Sequence, residues 1–329
     1  MALHSFVLRF ASAVIMLACF TAEPRPAHAQ SYPNKTIKLV VPFGPGGPTD
    51  VAARVVSQVV QSSLGQSVVI ENRAGAGGAT GSRSVATAEP DGYTLLIGTS
   101  ATLGVVPALM KNPGYDPIKS FVPVAKIFDS TTVVVVPINF PANTIQEFVA
   151  YAKANSGKLS YASAGAGNQT QLAAELFKSK AGIEMVHVPY KSGAEMVTSI
   201  LSEQTQVAFP DISILLPLIR EKKLKALAVT SARRNAQLPD VPTMIESGIP
   251  DFVLTFWTGI IAPAGTPEAA VNALNSAVVN GLKTESVRET LARVGAEATP
   301  GTPQEFGAFI ASEAQKWASV ARTAGIQPE

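Results

Sequence analysis

A β-rich run, a glycine loop and a stretch of apolar residues at helical spacing recur in that order along this chain, and the alternation restricts the fold more than any single motif. Ile37-Lys38-Leu39-Val40-Val41 is the first such run, followed by a Gly/Pro loop and by residues 51–64 at helical spacing with Gly65 as a stop. Residues 67–71 then read as a strand, 75–81 as a loop, 82–88 as a helix and 93–98 as a strand. A second set starts with the β-branched run 131–136 and continues as a helix at 145–154, a strand at 159–162, a loop at 163–167 and a helix at 169–181. Strands at 184–188, 207–209 and 224–230, with a helix at 194–202, complete it before Pro-rich linkers at 238–250. The expectation is an α/β protein with parallel sheets.

With 329 residues, of which 47 % are apolar and 15 % charged, the chain is long enough for two lobes rather than one. Residues 30–130 are expected to start the first lobe and 131–252 to form the second. Residues 253–329 would return to the first lobe with amphipathic helices at 267–282, 285–294 and 303–324, making that lobe discontinuous.

The first 29 residues are a different material. His4 and Arg9 precede a short apolar run from Phe10 to Phe20, and Ala27-His28-Ala29 fits a small-residue cleavage site, so a signal peptide is expected with the mature chain starting at Gln30. The run is too short to anchor a chain in a bilayer, and Glu23, Pro24, Arg25 and Pro26 end it. Cys19 after Met16-Leu17-Ala18 offers a lipoprotein cleavage site as the alternative.

Loss of this segment removes Arg9, Arg25 and Glu23 and lowers the formal net charge from +2 to +1, so no broad field favours nucleic acid or an anionic membrane. It also removes the sole Cys and leaves His187 as the one histidine. A Cys nucleophile and a Cys/His zinc site are then impossible, no cofactor is expected, and a Ser-His-Asp triad could use only His187. His187 lies in the alternating stretch 185–190, where a structural role at a strand end fits better than a catalytic base.

Three loops carry the binding chemistry. PFGPGGPTD at 42–50 lies between a strand and a helix, so Gly46 and Gly47 permit close backbone approach while Thr49 or Asp50 caps the helix, and such a helix N-terminus attracts an anion. AGAGGATG at 74–81, with Ala76 and Gly77, and SAGAGNQT at 163–170, with Ser163, Ala164, Gly165, Asn168 and Gln169, follow strands and open helices in the same way. Each alone is equally an ordinary turn with a cap; three together suggest one shared cleft. Neither GxxxxGK[ST] nor a well-placed GxGxxG occurs. Ser100 and Ala101, after the strand at 93–98, stand where ligands collect in open sheets, or simply cap. Phe43 and Phe209 are candidate apolar walls, and Tyr190 precedes the turn at Lys191. Asp211 either receives a ligand ammonium group or caps a helix.

Taken in order, PFGPGGPTD, ENRAGAGGATG (71–81), PDGYTLLIG (90–98), KLSYASAGAGNQT (158–170), HVPYKSG (187–193), KLKALAVT (223–230), LPDVPT (238–243) and WTGIIAPAGTP (257–267) give the chain its closest likeness. It resembles the substrate-binding proteins of tripartite tricarboxylate transporters, the Bug receptors, over nearly its whole mature length. The resemblance implies a type II periplasmic-binding-protein fold, two α/β lobes around an enclosed carboxylate, and a monomeric periplasmic receptor with a membrane permease as partner. It also implies that main-chain N–H groups of loops 43–50 and 163–170 hold the carboxylate, often through water. Three positions depart from the family pattern: GNQTQL at 167–172, Ser192 in place of Gly, and Pro210 where Asp is frequent, with Asp211 beside it. A sensor for a signalling partner, or an exported α/β hydrolytic enzyme, are the other functions such a chain could serve.

Overall fold

The computed structural model describes residues 32–165 and 168–328; the expected signal peptide 1–29, its cleavage at Gln30 and Cys19 lie outside them. The first set of elements comprises β1 (Ile37–Val41), a helix Pro48–Leu64, β2 (Val68–Asn72), a helix Ala79–Ala86, β3 (Thr94–Thr99) and β4 (Phe121–Thr131). The second comprises β5 (Val133–Pro137), β6 (Ser160–Ser163), β7 (Val186–Pro189), β8 (Val207–Ala208) and β9 (Leu224–Val229), with helices Ile145–Ala154, Gln169–Ala181 and Gly193–Leu201 between them. The chain then returns through β10 (Thr255–Pro263), helices Glu268–Leu282 and Glu285–Arg293, β11 (Ala296–Ala298) and the long helix Pro303–Thr323.

These strands form two sheets, ordered β11-β4-β10-β3-β1-β2 and β7-β6-β8-β5-β9. Both are mixed, which corrects the expectation of parallel sheets. β1 runs parallel to β2 and β3, but β10 is antiparallel to β3 and β4, and β5 is antiparallel to β8 and β9. The cause is the crossing of the chain: a segment that leaves one lobe and re-enters from the other side must run against the strand by which it left.

The crossing also divides the β-branched run 131–136. Thr131 ends β4 in the first sheet and Val133 begins β5 in the second, with Thr132 between them. Thr132 is tied to the returning segment: its carbonyl accepts from the Thr230 N–H at 3.0 Å and its hydroxyl meets that of Thr230 at 2.6 Å. Thr230 in turn accepts from Leu254 N–H at 2.9 Å. The two threads between the lobes are thereby cross-linked.

Each lobe has its own core. Leu39, Val56, Ile97 and Leu274 are fully or nearly fully buried in the first, and Phe148, Phe177, Phe209 and Phe252 in the second. Every such side chain contributes roughly 1.5–3 kcal/mol by leaving water. The helix Pro303–Thr323 starts at a capping box in which Thr302 and Glu305 satisfy each other's N–H groups. Its Phe306 and Ile310 pack with Leu103 and Trp257 of the first lobe, whereas Trp317, Val320 and Ala321 join the core of the second. The C-terminal helix therefore spans both lobes instead of returning only to the first.

Candidate functional site

Between the lobes lies a cleft of about 330 Å³. A larger hollow of about 500 Å³ on the first lobe is lined by helix and connecting residues alone, such as Val59, Ser62 and Thr290, with no strand end opening into it. The interlobe cleft instead sits where the loops after β1, β3, β6 and β8 converge, outside the carboxyl ends of strands.

Three helices point their N-termini into this cleft. Gly47, Pro48 and Thr49 come from the Pro48–Leu64 helix of the first lobe, Asn168, Gln169 and Thr170 from the Gln169–Ala181 helix of the second, and Gly193 from the Gly193–Leu201 helix. The first turn of a helix has N–H groups without internal partners and carries the positive end of the macrodipole, so these termini favour an anion although no Lys, Arg or His lines the cleft among the described residues. Asp211 is its one ionisable lining residue among the described residues. Burial pushes the Asp211 carboxyl up from the ordinary range, opposed by the Ser213 and Ser130 hydroxyls beside it and by the Ser213 N–H, which it accepts at 2.9 Å.

The lobes also touch directly here. Ser100 Oγ donates to Gln169 Oε1 at 2.6 Å, and Gln169 Nε2 donates to the Thr255 carbonyl at 3.2 Å. The floor is sheet: Ser130 pairs with Phe256 and Phe128 with Thr258 across β4 and β10, so these four side chains share one face. All four line the cleft.

Of the residues singled out in the sequence, the structure brings Phe43, Gly47, Thr49, Ser100, Ala101, Ala164, Asn168, Gln169 and Asp211 into the cleft lining. The others fall elsewhere. Gly46 and Asp50 brace the loop from behind, the Gly46 N–H donating to Asp50 Oδ2 at 3.2 Å while Arg54 pairs with the same oxygen at 2.9 Å. Asp50 therefore does not cap its helix: Gly47 occupies the N-cap and Pro48, with φ preset, starts the first turn. Ala76 and Gly77 do not line the cleft either. Gly78, at φ +97°, closes their turn against Thr102 and leaves room beneath the Phe43 ring, so the third glycine loop buttresses the wall instead of forming it. Phe209 faces the second core, 5.7 Å from the Phe177 ring, and is no cleft wall. Tyr190 packs against the second lobe's core and donates its N–H to the Ser163 carbonyl at 2.9 Å.

Ser163, Gly165 and His187 form a closed local network. Ser163 Oγ lies 2.7 Å from His187 Nε2 and bonds both the N–H and the carbonyl of Gly165, while the imidazole stacks on Tyr161 at 4.8 Å. Ser163 is fully buried and absent from the cleft lining, so this Ser-His pair cannot present a nucleophile to a ligand. Residues that the sequence reading missed include Phe128, Ser130, Gly193, Met196, Ser213, Phe256, Trp257 and Thr258. One signal was present: Phe128-Asp129-Ser130 and Phe256-Trp257-Thr258 repeat an aromatic and a hydroxyl at strand spacing.

A model of the tripartite tricarboxylate transporter family receptor matches residues 52–326. Protein BugT of Bordetella pertussis is 38 % identical over 303 residues, 92 % of this chain and 93 % of that protein. Among solved structures, R. palustris Rpa4515 with adipate is 34 % identical, with a TM-score of 0.81, covering 91 % of this chain and 100 % of that one. MatC from Rhodopseudomonas palustris with bound malate is also 34 % identical, with a TM-score of 0.76, covering 88 % and 99 %.

Proposed function

The chain belongs to the tripartite tricarboxylate transporter receptor family, and we propose on that premise that it captures a small carboxylate between its lobes and hands it to a membrane permease of the tripartite tricarboxylate type. In this reading it works as a monomer in the periplasm, exported by residues 1–29, and catalyses no reaction. Residues 30–130 and 253–329 act as one jaw and 131–252 as the other.

The observation that carries the reading is the convergence of three helix N-termini, contributed by both lobes, on a cleft that no basic side chain lines among the described residues. Each terminus stabilises an anion by about 0.3–1 kcal/mol when exposed and up to ~2 kcal/mol when partly buried. Because the donors come from opposite lobes, a carboxylate makes its full set of bonds only when they are together, and this differential affinity drives closure. Phe43, Gly47, Thr49, Ser100, Ala101, Ala164, Asn168 and Gln169 are the proposed carboxylate contacts, direct or through water. The relatives solved with adipate and malate support an organic acid as the ligand class.

Thermal denaturation of residues 30–329 against a panel of mono- and dicarboxylates tests this. A selective rise is expected, about 2.7 kcal/mol of stabilisation at 100 times the dissociation constant. A protein stabilised by neutral solutes and by no acid would refute it.

A further inference from the structure

The rim that the second lobe gives the cleft is wired together by hydrogen bonds. The Ala164 N–H donates to Thr170 Oγ1 at 2.9 Å, the Thr170 N–H and hydroxyl donate to Asn168 Oδ1 at 2.9 and 3.1 Å, and the Asn168 N–H donates to the Gly165 carbonyl at 3.3 Å. Ala164, Asn168 and Thr170 all line the cleft. Behind them, Ser163 Oγ lies 3.0 Å from the same Gly165 carbonyl, receives the Gly165 N–H at 3.2 Å and sits 2.7 Å from His187 Nε2. A hydroxyl has one proton and two lone pairs. All three contacts are therefore made together only when Gly165 N–H and His187 Nε2–H both donate to Ser163 and the hydroxyl proton goes to the Gly165 carbonyl.

Among the described residues, His187 is the member of this network that changes charge near neutral pH. As an imidazolium it donates from both ring nitrogens. As a neutral ring it divides between two tautomers, and in the one with Nε2 bare the Ser163 proton is drawn to the ring and lost from the Gly165 carbonyl. The ring is only partly buried and stands on β7, an edge strand, so it exchanges protons with solvent. Tyr161 of β6 stacks on it, while Glu175 and Lys178 of the helix Gln169–Ala181 act on it with opposite signs and pair with each other at 3.0 Å, Lys178 also lying 3.8 Å from Glu184. Burial favours the neutral ring, and an anion held at the rim would favour the imidazolium.

We infer that His187 is a positioning residue for ligand capture: by donating to Ser163 it turns that hydroxyl onto the Gly165 carbonyl and holds the turn that carries Ala164 and Asn168, so that an anion is held more tightly when His187 is protonated. The charge and the hydrogen bond act in the same direction. The inference rests on the carboxylate reading of the cleft and adds a group outside it that sets how strongly the rim holds its ligand.

Calorimetric titration of residues 30–329 with malate and with adipate at about pH 7.5 and about pH 5, in buffers of differing ionisation enthalpy, tests it against His187→Gln, which keeps a donor near the Nε2 position and cannot take the charge. Over that interval the native chain is expected to gain roughly threefold to tenfold in affinity relative to His187→Gln, and to bind with a proton uptake that the variant lacks. Ionisation of the acid itself and of Asp211 in the cleft occurs in both proteins and cancels in the comparison. His187→Phe, with no donor, should bind more weakly than His187→Gln at both pH values. Parallel pH profiles of the native chain and His187→Gln, or equal binding by the Gln and Phe variants, overturn the inference and leave the carboxylate reading intact. Binding of neither acid at either pH overturns both.

Discussion

Ser100 and Gln169, 69 residues apart and on opposite lobes, share a buried hydrogen bond of 2.6 Å, and Gln169 extends it to the Thr255 carbonyl on β10. The pair is a latch as well as cleft lining, because it exists only while the lobes are together.

Gln169→Ala is therefore expected to weaken ligand binding about five- to tenfold, chiefly through faster dissociation, with little change in chemical stability. Ser100→Ala should do the same, and the double variant should lose little more than either single one. Stopped-flow dissociation and a double-mutant cycle check this; additive losses would mean the two residues act separately.

Glu313 in the C-terminal helix is 4 % exposed, and its Oε2 accepts from Trp257 Nε1 at 3.0 Å and Trp317 Nε1 at 3.2 Å, while Oε1 pairs with Lys316. Glu313→Ala leaves two buried indole N–H groups unpaired and should cost about 2–4 kcal/mol in urea unfolding. Glu313→Gln keeps one acceptor oxygen and should cost less.

Gly104 lies against the Trp317 ring, and a Cβ there would collide with Cδ1. Gly104→Ala should push the C-terminal helix off the first lobe and destabilise by about 1–3 kcal/mol, seen as altered tryptophan fluorescence together with a lower unfolding midpoint.

Burial pushes the His187 imidazole below its ordinary pKa, helped by Lys178 and opposed by Glu175. The unfolded chain then binds the proton more readily than the folded one, so stability falls as pH drops below about 6.5 until the folded-state value is passed. His187→Gln should flatten that slope between about pH 5 and 6.5 in denaturant titrations; an unchanged slope would assign it to other groups.

Asp211 has the opposite sign. Its folded-state pKa is raised by burial, so the folded chain holds the proton more strongly and stability is lost as pH rises through that value. Asp211→Asn retains an oxygen for the Ser213 N–H and should raise the melting temperature at pH 7, with the gain shrinking towards about pH 4.

Much of the local structure was legible in the order of residues. The helices Ile145–Ala154 and Gln169–Ala181 have the limits read from the sequence, and the structure shows why they start there: Thr144 and Asn168 cap them. The loops after β1 and β6 lie at the cleft as their glycines and position after a strand suggested. The loop at 74–81 looked the same and is not part of it, because small residues serve close packing of backbone as readily as ligand approach.

The sequence by itself determined the alternation of strands and helices, the chain's exclusion from Cys and zinc chemistry after residue 29, and the helix starts that face the cleft. These depend on preferences and residue types acting over a few positions. The tertiary structure alone decided that 131–136 divides between two sheets, that Phe209 turns inward, and that Ser130 and Thr258 look into the cleft. Those outcomes follow from strand partners more than 120 residues apart, such as Ser130 and Phe256, whose pairing decides which face of a strand meets the core and which meets the ligand.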